Sequence, residues 1–161
     1  MTARRLARLA VVRVLYAALL QNISAEEALL MTSQSNFEKP ETLEDKLTLA
    51  LLQAADEHSA RIETLTVEAL SRPLTQLSDI EQVIIRAATA ELLVFPLTSH
   101  RVVIDEAIEI AKQFGAEGGY KIVNGTLNAI AIKLRNNHAG KVSDGTVENK
   151  ESNDILEDDN A

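Results

Sequence analysis

The sequence predicts an all-α protein of about seven helices with short connections, followed by an acidic C-terminal tail expected to be disordered. Three observations predict it. Apolar residues recur at helical spacing along most of the first 135 positions. Helix-starting Ser/Thr residues, prolines and glycines fall where those stretches begin and end. No alternating apolar–polar run of useful length is present to form a strand. Composition agrees: 46% of residues are apolar but only 3% are aromatic, with no Trp, so the core must be aliphatic, which suits helix-on-helix packing.

The first helix covers about 3–20, with Leu6, Leu9, Ala10, Val14, Ala17 and Ala18 on its apolar side and Arg4, Arg5, Arg8 and Arg13 over much of the rest. Ser24 and Glu27 form a capping-box pattern that opens a short helix near 24–32. Residues 33–40 read as a loop. Thr42 caps a helix over about 43–58, and further helix follows to Leu70 before Pro73. Ser78 and Glu81 make a second capping box, opening a strong helix that Pro96 ends just beyond Val94. Ser99 is placed to cap a helix over 100–114, with Gly115 as its stop. A last helix runs from Gly119 to about Arg135. The organisation is therefore a helical domain over 1–138 and a tail over 139–161.

Charge is unevenly spread. Residues 1–13 hold four arginines and no acid, whereas residues 139–161 hold seven acids and two lysines, leaving the first 138 residues at −3 of the total −8. The tail has too few large apolar groups to offset the entropy of ordering it.

Several function classes are disfavoured. With no cysteine, disulfides, thiolate metal sites and Cys nucleophiles are excluded. The apolar runs fall short of the roughly 18 residues that a membrane span needs. Arg8 and Arg13 interrupt the stretch that a signal peptide would use, so a cytoplasmic location is expected. His58, His100 and His138 lack metal-ligand spacing, and no phosphate-binding loop or nucleophile motif occurs. Asp105, Glu106 and Glu109 read as a solvated helix start. No catalytic residues, metal or cofactor are expected.

Two segments point to binding. Arg4, Arg5 and Arg8 lie within about one turn on a helix start and can neutralise phosphates with little sequence preference. The connection from Gly115 to Gly125 brings Tyr120, which can stack on a base, Lys121, which can reach a phosphate, and Asn124, which can bond a base edge or cap a helix. On their own, the first segment reads equally as a solvated face and the second as a glycine-bent turn.

The sequence also resembles the NusB family over roughly residues 3–135. The resemblance rests on RRLAR at 4–8 running on to VLY at 14–16, on IEQVIIR at 80–86 with AELL at 90–93, and on RVVIDEAIEIAK at 101–112 continuing through FGAE at 114–117 to KIVNGTL at 121–127. It implies a compact fold of two packed helical bundles. It also implies binding of boxA RNA together with NusE, a ribosomal small-subunit protein, in support of antitermination by RNA polymerase on ribosomal RNA operons. Arg4, Arg5 and Arg8 match the family's RNA-contacting start, Lys121 and its neighbours match a second RNA-contacting segment, and Glu81 matches a position on the NusE-facing surface. Some relatives are dimers, so a homodimer is a further expected state. Leu6, Gly118, Gly119, Tyr120 and Ile122 depart from the usual pattern; Ile122 stands where an aromatic is common. Two other readings compete. One is a helical adaptor that binds protein but little or no RNA. The other is the front domain of an RNA cytosine methyltransferase, which the lack of a following cofactor-binding module disfavours.

Overall fold

The structure is a computed structural model that describes the backbone of residues 2–32 and 42–158 and the side chains of 2–31 and 42–139. It is all-helical among the described residues: α1 (Ala3–Gln21), α2 (Ala25–Thr32), α3 (Leu43–Glu57), α4 (Ser59–Ala69), a 3₁₀ turn (Leu74–Gln76), α5 (Asp79–Val94), α6 (His100–Phe114) and α7 (Gly119–Asp158). The loop expected at 33–40 lies outside the described residues.

Local chemistry sets most of these ends. Thr2, Ser24 and Thr42 each accept a hydrogen bond from the backbone N–H three residues on, closing the first turns of α1, α2 and α3. Asn22, in the left-handed region at φ 53°, turns the chain between α1 and α2. Ser78 and Glu81 form a full, reciprocal capping box at the start of α5. Two expectations need correcting in detail. The Ser99 hydroxyl makes no capping bond, although Ser99 does precede α6. Gly115 ends α6 through close approach rather than a left-handed turn: its ψ is 174°, and a Cβ there would lie 2.6 Å from the Ala111 carbonyl oxygen.

The core is aliphatic, as expected. Val11, Leu15, Leu51, Leu52, Ile84, Ile85, Val103, Val123 and Leu127 are all buried, and each large side chain withdrawn from water contributes about 1.5–3 kcal/mol. Helices α1, α2 and α3 pack on one another; α4 and α6 pack on α5, and α5 also packs on α1 and α3. Helix α5 thus joins two helical groups, and it carries the most buried positions, Glu81 and Glu91 among them.

The chain divides into two compact units, residues 1–130 and 131–161. The first holds α1 to α6 and the first part of α7. In the second, Ala131 and Leu134 are buried while Ile132 is exposed. The change in composition at 138/139 therefore falls inside α7, which runs on past Arg135; no proline occurs between 119 and 158 to stop it. The expectation of an unpacked, disordered tail over 139–161 concerns side chains that lie, from 140 on, outside the described residues.

Candidate nucleic-acid interface

The three arginines at the start of α1 meet different fates. Arg4 is exposed and makes no ion pair or hydrogen bond among the described residues. Arg5 donates from Nε to Glu106 Oε2 at 3.1 Å and from Nη2 to Glu106 Oε1 at 2.8 Å, so α1 is tied to α6. The Arg5 side chain nevertheless stays 52% exposed, against 19% for Glu106. Arg8 is tied to α5. Its Nε donates to both oxygens of Glu91, at 3.2 and 3.0 Å, and its Nη2 donates to Oε1 at 2.7 Å. This second pair is nearly dry, with side chains 11% and 8% exposed.

Electrostatics follow the geometry. Hydrogen bonding to Glu91 raises the Arg8 pKa, against an opposing push from burial. The Arg5 hydrogen bonds hold the Glu106 carboxyl below the usual carboxylate range. Glu106 is therefore held as a charged partner of Arg5 at neutral pH.

The second segment lies at the end of α6 and the start of α7. Tyr120 is half-buried, and the Lys112 ammonium sits 5.2 Å from its ring centroid, a cation–π distance. Glu109 steadies Lys112 at 3.8 Å. Lys121 is exposed and Ile122 half-buried. Asn124 is exposed but does not cap: Asn128 Nδ2 donates to its backbone oxygen at 2.9 Å and to its Oδ1 at 2.7 Å. Residues 120 and 122 point about 200° apart around a helix. A ring at Tyr120 therefore does not stand where a ring at 122 would stand.

Helix α6 links the two segments. Glu106 holds Arg5, and Lys112, six residues on, lies about 9 Å farther along the axis. Sequence reading missed Lys112, Glu106 and Glu91 as participants. Lys112 could be found only by knowing that Tyr120 folds back onto α6; Glu91 and Glu106 are remote in sequence from the arginines they bind.

Glu81 differs from its expected role. It is 3% exposed, not on a surface. One carboxylate oxygen accepts the Ser78 N–H at 3.1 Å, and the other, Oε1, is buried without a hydrogen-bond partner among the described residues. A Cβ on Gly119 would overlap that carboxylate, so the glycine lets the start of α7 lie against Glu81 as it is placed here. Next to Glu81, Ile80 does reach an accessible groove of about 310 Å³ whose other lining residues are Leu9, Val12, Arg13, Tyr16 and Phe114. Tyr16 and Phe114 are 37% and 46% exposed there.

Comparison with known proteins places the fold. A family model described as the NusB family matches residues 5–132. The chain belongs to the NusB family. It is 38% identical to the transcription antitermination protein NusB of Burkholderia lata over 135 residues, covering 83% of this chain and 91% of that one. The structure of T. maritima NusB superposes with a TM-score of 0.70 at 32% identity, covering 81% of this chain and 91% of that one. At 24% identity, the NusB chain solved with NusE and double-stranded RNA shares the fold, with a TM-score of 0.70 over 83% of this chain and 98% of that one. Among the described residues, no group of acidic and histidine side chains could hold a metal ion, and no single helix is long and apolar enough to cross a membrane.

Proposed function

We propose that this protein is a transcription antitermination factor that binds boxA-type RNA together with NusE. In this role it supports ribosomal RNA transcription within the RNA polymerase antitermination complex in the cytoplasm and performs no chemistry of its own. The supporting observation is the set of cationic and aromatic groups at the start of α1 and around α6: exposed Arg4, the outer side of Arg5 held at Glu106 in the middle of α6, and Lys112, Tyr120 and Lys121 at the end of α6 and the start of α7. Phosphates would meet Arg4, Arg5 and Lys121; a base would stack on the face of Tyr120 not covered by Lys112; Asn124 and Ile122 would flank it. Arg8 supports this surface from beneath, through Glu91.

NusE is assigned to the groove between Tyr16, Ile80 and Phe114. That groove is apolar and partly exposed, and it carries one exposed cation, Arg13, to pair with an acid on the partner. A homodimer built on the same groove is the competing state, and a doubled mass in light scattering identifies it.

Fluorescence anisotropy of boxA RNA, measured with and without NusE, tests the reading. Each partner should raise the other's affinity by the same factor, because linkage is reciprocal. Strong NusE binding with no RNA binding in any combination would instead support the protein-only adaptor. That second reading is favoured by one observation: two of the three clustered arginines already hold carboxylates.

A further inference from the structure

A carboxylate at the heart of a phosphate-binding surface calls for an explanation, since it repels the ligand. Glu106 and Arg5 supply one by the way they meet. A guanidinium carries five N–H groups along distinct edges. Glu106 takes the edge formed by Nε and Nη2. Nothing among the described residues bonds the Nη1 side. Glu106 is the inner member of the pair and Arg5 the outer, at 19% and 52% exposure. An approaching phosphate therefore meets the unoccupied edge of Arg5 first, and can bond it without displacing Glu106.

The anchor is itself well held. Glu106 stands in the middle of α6, between Val103 and Ile104 on one side and Ala107 and Ile110 on the other, all buried. A long arginine that is otherwise free loses rotamer entropy when it binds. One already clamped along one edge loses less. The repulsion from Glu106 acts across exposed surface, where salt screens it.

We infer that Glu106 is a positioning residue for RNA: it grips Arg5 by its inner edge and so presents the outer edge to a phosphate. The inference rests on the proposed RNA-binding role. Glu109, whose charge also acts on Arg5, extends the acidic support toward Lys112, to which it is paired.

The experiment uses the full chain, its Glu106→Gln and Arg5→Gln variants, and the double variant. Each is titrated into labelled boxA RNA with NusE present, and its melting temperature is recorded. Glu106→Gln should weaken RNA binding about two- to tenfold, even though it removes a negative charge beside the ligand, with melting close to the parent. In the Arg5→Gln background the same change should cost nothing further, because the group it positions is gone. Tighter binding by Glu106→Gln would overturn the inference and mark Glu106 as a competitor for Arg5. An equal loss in both backgrounds would overturn it too, since Glu106 would then act through the fold. Binding by the parent that Arg5→Gln leaves unchanged would take RNA off Arg5 and end the inference, leaving the functional reading to Arg4 and Lys121. No RNA binding by the parent, with or without NusE, would overturn the functional reading itself.

Discussion

The two ion pairs of α1 share their chemistry and differ in their surroundings. Arg5–Glu106 and Arg8–Glu91 are both multidentate and lie about one turn apart on the same helix. The first is open to solvent on the arginine side; the second is nearly closed off. The difference teaches that an arginine's residue type does not fix its job. Where water reaches the guanidinium, a ligand can too. Where it does not, the arginine belongs to the architecture.

Removing one member of the drier pair should produce the largest effect. Arg8→Ala strands a buried Glu91 carboxylate and should cost about 2–4 kcal/mol of stability, read by chemical denaturation, somewhat below a wholly buried pair because the guanidinium keeps slight exposure. A combined Arg8→Met, Glu91→Leu variant should recover much of that loss, since apolar groups of similar size need no partner. A small effect from Arg8→Ala would erase the contrast between the pairs.

Arg5→Ala should sharpen the contrast by doing the reverse. Melting should stay close to the parent, while RNA affinity falls for related and unrelated sequences alike and the slope of log affinity against log salt drops by roughly one. Tyr120→Ala should instead weaken RNA binding by about 1–3 kcal/mol with little change in slope, because stacking and not charge is lost.

A smaller effect concerns acid. The Glu106 carboxyl lies below its usual range, first because Arg5 hydrogen-bonds its charged form. The unfolded chain therefore binds this proton more readily than the folded one. The contribution is present in full above the ordinary carboxylate pKa and is lost as pH falls through the lower folded value. Denaturation curves across that window should be flatter for Glu106→Gln than for the parent. The smallest effect is expected at Arg101–Asp105, an i,i+4 pair at 3.8 Å with both side chains largely exposed. Asp105→Ala should shift stability by no more than about 0.5 kcal/mol.

What was legible in the sequence follows the range of the forces involved. Helices α5 and α6 could be read nearly to the residue, because Ser78, Glu81, Pro96 and Gly115 act within a turn of themselves. The arginine cluster was equally visible, but its division of labour was not. That division depends on Glu91 and Glu106, which are 83 and 101 residues away from their partners. Glu81 was readable as half of a capping box but not as buried, because the approach of Gly119 from the start of α7 helps to cover it. The resemblance to a family supplied candidate roles by position. The environment that decides which of them a side chain can fill had to come from packing.

The paired arginines also bear on how quickly RNA is found. Four arginines open the chain, but two of them face carboxylates, so the field they project into solvent is close to that of Arg4 and Arg13 alone. With an overall charge of −8, this protein has little means to draw a polyanion in from a distance. Its association rate with RNA should then depend only weakly on ionic strength when it acts alone, and more steeply with any partner that brings positive charge to the encounter. Stopped-flow traces over a salt series, with and without NusE, check this: a weak salt dependence for the protein alone would mark this chain as a surface that retains RNA and not one that collects it.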